Sequence, residues 1–325
     1  MKAAVIEKLG DIPQYKDVPH PEIQNENQIV LHVKAAAVKN LDKIRASGDH
    51  YASHKELPAI VGMDGVGVLD DGTRVYAQGL TGMIAEKALI DKNSYTVIPE
   101  YLDFSTAAAL PNAVLGGAMA LKVRGNMTSG QTVIINGATG VTGQLAVQLA
   151  KYYGAKNIIA TGRNPENLEK TKGLGAHKTV SLKQEDAALI KEIQHLHQET
   201  PIDLVIDYLW GTPTELVLKA LKGGGLNTFS HTTRIVTVGS MAGETINLDS
   251  GTLRSSGIEI LGSGFGSLSK TDLENFHKNI LPEMFQLAAE GDLIIELVEG
   301  DIKAIETLWE QKIASGKRLV ITINQ

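Results

Sequence analysis

The chain has 325 residues, 43% apolar and 21% charged, with a formal net charge of −6 and no cysteine. That length predicts two domains rather than one core. An acidic chain without a basic run argues against nucleic-acid binding, which needs a positive field to release counterions, and the lack of cysteine excludes disulfides, thiolate metal sites and a cysteine nucleophile.

The opening "MKAAVIEKLGDIPQ" lacks the apolar core of a signal peptide, and no run of about 18 apolar residues follows, so the expectation is a cytoplasmic protein without a membrane span. Up to residue 100 the chain reads as short strands, "AAVIEKL", "QIVLHVKAAAV", "GVGVL", "TRVYAQ" and "MIAEKALI", separated by Gly, Pro, Asp and Asn turns. Residues 103–127 are rich in small residues and read as helical, with Asp103 or Ser105 as N-cap. From 131 strands and helices alternate: "TVIIN" before a helix at 141–153, "NIIAT" before one opened by Asn164 and Pro165, "KTVSL" before 185–198, and "DLVIDYL" before 213–222. "RIVTVGS" and "IEILGS" complete the run, which is the signature of a doubly wound parallel sheet. A long amphipathic stretch from 268, the strand "LIIELVEG", a helix at 301–314 and a last strand "RLVITIN" read as a return to the N-terminal β domain.

The turn after "TVIIN" reads Ala138-Thr139-Gly140-Val141-Thr142-Gly143, a GxGxxG pattern with Ala in the first place. Between a strand and a helix such a turn aims free N–H groups at an anion, helped by the helix dipole; Gly140 admits a pyrophosphate and Gly143 allows close helix–sheet packing. The next strand ends "TGRN", with no acid for a ribose 2′-hydroxyl and with Arg163 after Gly162 and before Asn164. A guanidinium fork suits a phosphate monoester, so these residues point to NADPH. Gly239 and Ser240 end a later parallel strand, where doubly wound sheets bind ligands, and Phe265 in "LGSGFGS" is a candidate lid over the nicotinamide. Asp207 and Trp210 read as structural.

Several spaced motifs together, "MKAAV", "LPAIVGMDGVGVL", "AAALPNAVLGGAMAL", the glycine turn, "GLGAHKTV" and "GKRLVITI", resemble the medium-chain dehydrogenase/reductase superfamily, specifically its zinc-free quinone oxidoreductase branch. The resemblance implies an α/β protein: a β-rich, GroES-like catalytic domain from both chain ends (1–112 and 266–325), an inserted Rossmann NADPH-binding domain (113–265), and usually a homodimer. Zinc-dependent members carry Cys and His where this chain has Lys39 and Met63, and Glu where it has Asp64. His50 and His54 form a spaced pair without a third ligand, so no metal is expected. Without a Lewis acid the fitting acceptors are quinones or activated alkenes, which delocalise incoming charge.

Three catalytic candidates follow from the resemblance. Tyr51 lies where relatives often place an active-site tyrosine, although "SGDHY" is one residue longer than usual. Lys39 and Asn40 fall where the family commonly has an Asn near the nicotinamide, and a lysine there would bring positive charge to a substrate oxygen. Gly116-Gly117 replaces a usual Thr-Ala, which would enlarge the substrate cleft, and Leu182 replaces an adenine-side Tyr. The expected function is NADPH-dependent, zinc-independent reduction of a small-molecule quinone or α,β-unsaturated carbonyl. The alternatives are an NADPH-binding redox-sensing or structural protein without turnover, and a metal-free alcohol dehydrogenase.

Overall fold

The computed structural model describes residues 1–49, 53–222 and 231–324. The elements of the first part are β1 (Lys2–Ile6), β2 (Gln14–Asp17), β3 (Gln28–Val38), α1 (Asn40–Ser47), β4 (Ala59–Ile60), β5 (Asp64–Val68), β6 (Arg74–Gly79), β7 (Lys87–Val97) and α2 (Phe104–Ala118). Then follow β8 (Thr132–Asn136), α3 (Val141–Tyr152), β9 (Asn157–Gly162), α4 (Pro165–Leu174), β10 (Lys178–Ser181), α5 (Asp186–Glu199), β11 (Leu204–Asp207), α6 (Gly211–Leu221), β12 (Thr232–Thr237), α7 (Ser250–Arg254) and β13 (Gly257–Gly262). The chain ends with α8 (Lys270–Asn275), α9 (Leu281–Glu290), β14 (Glu296–Asp301), α10 (Ile305–Glu310) and β15 (Lys317–Thr322). Two compact units result, one from Met1–Asn112 with Asn275–Gln325 and one from Ala113–Glu274.

The first unit is built around β3, in a sheet of order β14-β15-β3-β5-β6-β7 in which β3 also pairs with β7. One strand serves three partners because it bends: Gln28–His32 pairs with β7, Ala35–Val38 with β15, and the register against β5 shifts between Val33 and Ala35. The extra residue also reverses the alternation of faces. Leu31 and Val33 point into the main core before it, Ala36 and Val38 after it. Ala35 and Ala37 are thereby turned to the opposite face, where Lys39 follows them. A β-carbon on Gly67 would stand 2.1 Å from the His32 carbonyl oxygen, so only glycine lets β5 lie against this bend.

The second unit is a parallel sheet of order β10-β9-β8-β11-β12-β13. Its order reverses between β8 and β11, the switch point at which such sheets bind ligands beyond their carboxyl ends. Every residue of β8 is buried, as expected for a strand covered on both faces. Ile134, Ile159, Val180, Val205 and Ile235 of β8–β12 pack with Leu189, Ile193, Leu216 and Val217 from α5 and α6.

Several details differ from the sequence reading. The short β2, β4, α1 and α7 carry little periodic signal and lie outside the expected elements. The helix expected at 301–314 is a 3-10 turn at Ile302–Ala304 followed by α10. The later boundary between units lies after Glu274 rather than after residue 265, because the turn Phe265–Ser267 and most of α8 remain with the parallel sheet. The helical stretch Phe104–Arg124 is long and apolar enough to cross a membrane by length and composition, but 72% of its apolar window is buried inside the protein, as in a core helix.

Candidate active site

The glycine turn joins β8 to α3 directly above the switch point. Gly137 turns the chain with φ +93°, a left-handed conformation that favours glycine. The turn is then tied to β9: the Ala138 N–H donates to the Thr161 carbonyl at 2.8 Å, and the Gly137 N–H to Thr161 Oγ1 at 3.2 Å. Ala138 is fully buried, so its N–H is spent inside the protein. Ala138 therefore sets the shape of the turn instead of donating to a phosphate. The first α3 N–H groups, from Val141 to Gly143, have no intrahelical acceptor and are the ones an anion can take. Gly140 is open, with nothing within 4 Å of an added β-carbon, whereas one on Gly143 would stand 2.3 Å from the Gly137 carbonyl oxygen. The two glycines therefore serve approach and packing respectively. Thr139 and Thr142 flank them, each half-buried.

Gly162 closes the turn from the other side, since a β-carbon there would lie 2.2 Å from Thr139 Cγ2. Arg163 follows it, exposed, and makes no hydrogen bond or ion pair among the described residues. Asn164 caps α4, its Oδ1 accepting from the Asn167 N–H at 3.0 Å. Beneath the turn lies a buried polar network that the sequence reading did not assemble. Asn136 Nδ2 donates to Asp207 Oδ1 at 2.8 Å, Thr161 Oγ1 to Asn136 Oδ1 at 2.6 Å, and Thr214 Oγ1 to Asp207 Oδ2 at 2.8 Å. Burial raises the Asp207 pKa, and these hydrogen bonds oppose that rise. The network fixes the carboxyl ends of β8, β9 and β11, in keeping with a structural Asp207. At the same end of the sheet, the Gly239 N–H donates to the Asp207 carbonyl at 3.3 Å and Ser240 Oγ to Glu244 Oε1 at 2.8 Å. Phe265, beginning its 3-10 turn, is 40% exposed.

In the other unit the face carrying Ala35 and Ala37 ends in a cluster of buried charges. The Lys39 side chain is nearly sealed from solvent. Its Nζ donates to the Ala37 carbonyl at 2.9 Å and to Asp64 Oδ1 at 2.7 Å, and lies 3.1 Å from Asp42 Oδ2. Asp42 also accepts from the Lys39 and Met63 N–H groups, each at 2.9 Å, while the Tyr76 hydroxyl donates to Asp64 Oδ2 at 3.1 Å. Burial pushes the Lys39 pKa down, but Asp42 and Asp64 outweigh it and the net shift is upward. Burial, reinforced by Asp64, raises Tyr76 well above its ordinary value. Across Tyr76 lie His277, stacked at 6.4 Å, and Phe285, edge-on at 6.3 Å.

Lys39 is thus corrected as a donor to substrate, because its three N–H bonds already have three internal acceptors. Asn40, the first residue of α1, is exposed. Tyr51 and His50 lie outside the described residues. His54 is half-buried, and burial lowers its pKa.

Comparison with known proteins now bears on this geometry. Residues 141–282 match the family described as zinc-binding dehydrogenases. The chain is 32% identical over 210 residues to the NADPH-dependent alkenal/one oxidoreductase, chloroplastic, of Arabidopsis thaliana, covering 57% of this chain and 53% of that protein. It is 29% identical over 242 residues to the quinone oxidoreductase of Sus scrofa, covering 71% and 70% respectively. The solved quinone oxidoreductase from Thermus thermophilus, described with its NADPH complex, superposes with a TM-score of 0.76 at 26% identity, covering 99% of this chain and all of that one. The chain belongs to the medium-chain dehydrogenase/reductase superfamily, in its quinone oxidoreductase branch.

Within the superfamily, the family's description raises the question of zinc. The residues at the zinc-ligand positions do not fit one: Lys39 is itself a cation held by Asp64, and Met63 offers only a thioether. Among the described residues no three His, Asp or Glu side chains are grouped to hold a metal. The Gly116-Gly117 pair also acquires a local reason. A β-carbon on Gly117 would stand 2.8 Å from Leu149 Cδ1, and one on Gly116 3.3 Å from Thr142 Cγ2, so the pair lets its helix lie close on α3. Leu182, where relatives have Tyr, is half-buried against the core of the parallel sheet.

Proposed function

We propose that the chain is an NADPH-dependent reductase of quinones or α,β-unsaturated carbonyls. The observation that carries the cofactor choice is Arg163: an exposed guanidinium with no partner among the described residues, directly after an acid-free strand end and beside the open Gly140 turn. Its fork suits the 2′-phosphate that distinguishes NADPH. The Val141–Gly143 N–H groups and the α3 dipole suit the pyrophosphate. Gly162 and Asn164 flank the phosphate position, and Gly239, Ser240 and Phe265 furnish the rim further along the sheet. When bound, the nicotinamide supplies a hydride.

The chain's own residues then bind and orient. The turn fixes the cofactor through backbone groups held in place by Thr161 and the Asp207 network. Lys39, Met63 and Asp64 stand at the positions that zinc-dependent members use for ligands, and the Lys39 and Asp64 charges are already paired with each other. Acceptors that spread incoming negative charge over a conjugated system suit such a chain best. The names of the Arabidopsis and Sus scrofa relatives support the same two acceptor classes. A cytoplasmic homodimer belongs to this reading on the strength of the sequence and the family resemblance.

The test is NADPH oxidation screened against quinones, enals, enones and simple ketones, with NADH alongside. Oxidation is expected to accelerate with a quinone or an enone and not with a simple ketone. No acceleration with either conjugated class, in a protein that still binds NADPH, would overturn the reading in favour of a nucleotide-binding protein without turnover.

A further inference from the structure

Among the described residues, a charged side chain on the Lys39 face is left without a hydrogen-bond partner. Arg318 lies one step before the Leu319↔Val38 pair of the β15–β3 ladder, which sets it across from Lys39. Extending the Ala35↔Val66 register sets Asp64 across from Ala37, on the same face, and the Val66↔Tyr76 pair adds Tyr76. The carboxylate oxygens of Asp42 and Asp64 are already taken by Lys39, the Met63 N–H and Tyr76. Arg318 donates no hydrogen bond to them and forms no close ion pair with them, and its Nε is buried without an acceptor among the described residues. The residue as a whole keeps partial exposure.

A buried N–H without an acceptor is costly, and an arginine cannot escape that cost by losing its proton. Burial pulls the Arg318 pKa down, and Asp42 and Asp64 offset only part of that shift. We propose that Arg318 is the recognition point of a binding site for a planar monoanion, a carboxylate, in the unit formed by the two chain ends. Resting on the reductase reading, that carboxylate would belong to the acceptor. The charge count favours a monoanion. Lys39, Asp42 and Asp64 carry a net −1 and Arg318 restores neutrality, so a carboxylate returns the cluster to −1 whereas sulfate takes it to −2 in a low-dielectric setting. The guanidinium fork also matches a carboxylate with two parallel hydrogen bonds.

Sodium benzoate and sodium sulfate, titrated calorimetrically into the full chain, test the site directly. Benzoate is expected to bind one to one and at least about tenfold more tightly than sulfate. Arg318→Met is expected to abolish benzoate binding and Arg318→Lys to keep part of it, with circular dichroism confirming that both fold. Benzoate binding that survives Arg318→Met, or sulfate binding as tight as benzoate, overturns the proposal. In turnover, 1,4-naphthoquinone is compared with its 2-carboxylate, and the kcat/KM of the carboxylate divided by that of the parent quinone should fall at least tenfold in Arg318→Met. An unchanged ratio overturns the carboxylate assignment, whereas wild-type protein that reduces neither quinone nor any enone refutes the reductase reading and leaves the benzoate result to stand or fall alone.

Discussion

Replacing Lys39 with methionine tests whether the buried cluster holds its unit together. Methionine keeps an unbranched side chain only one atom shorter and removes the charge. It leaves Asp42 and Asp64, 2% and 3% exposed, facing each other without the ammonium between them. It also strips the Ala37 carbonyl of a donor. Removing one partner of a buried pair typically costs about 3–5 kcal/mol, mostly as the penalty of the charge left behind. For a unit of this size that corresponds to a melting temperature lower by roughly 6–20 °C. Thermal and urea unfolding, followed by circular dichroism, measure the loss. The double variant Lys39→Met/Asp64→Asn should recover part of it, giving a coupling of roughly 0.5–3 kcal/mol in a double-mutant cycle. The pH dependence has a definite sign. The Lys39 pKa is raised above 10.5 in the folded chain, so its stabilisation is complete below that value and is lost as pH rises through the folded pKa. The difference between wild type and Lys39→Met should therefore be flat through neutral pH and shrink only in strong alkali. A loss below about 1 kcal/mol with additive single effects would refute the view that these charges are coupled in a dry site.

The other predictions concern the cofactor turn and a histidine. Arg163→Ala should weaken NADPH binding by about 10- to 150-fold, the equivalent of a charge-assisted hydrogen bond worth about 1.5–3 kcal/mol, with little effect on NADH; equal losses in fluorescence titrations would contradict the 2′-phosphate assignment. Gly143→Ala and Gly140→Ala should part company. The first forces a β-carbon to 2.3 Å from the Gly137 carbonyl oxygen and should destabilise the parallel-sheet unit by about 1–3 kcal/mol. The second meets open space at φ −83° and should melt like wild type while binding NADPH more weakly. Burial lowers the pKa of His277, so the unfolded chain binds its proton more readily and stability should fall as pH drops below the ordinary value of 6.5. His277→Gln should flatten that acid slope in melts across about pH 5 to 8, and parallel slopes for the two proteins would remove His277 from the account.

The parallel-sheet unit was legible because its signals are local. Asn164 and Pro165 mark a helix start within two residues, and Asn164 does cap α4 through the Asn167 N–H. The glycine pattern contains its own geometry, since Gly143 must clear a carbonyl six residues earlier in the same turn. The first unit was less legible because its chemistry is made by strand pairing. Lys39 stood out by residue type, but whether its charge is spent depends on Asp64, delivered by β5, and on Asp42, placed by a short helix with little periodicity. The bend in β3 leaves no mark in "VLHVKAAAV", yet it decides that Ala35, Ala37 and Lys39 share a face. Arg318 lay inside "KRLVITIN", a run whose pattern announces only a strand. Its meaning comes from a partner strand near the other end of the chain, where the acceptors it would need are already occupied by Lys39. Those two cations therefore have different chemistry for a reason outside their own segments: Lys39 reaches three acceptors, and Arg318, facing the same two carboxylates, reaches none.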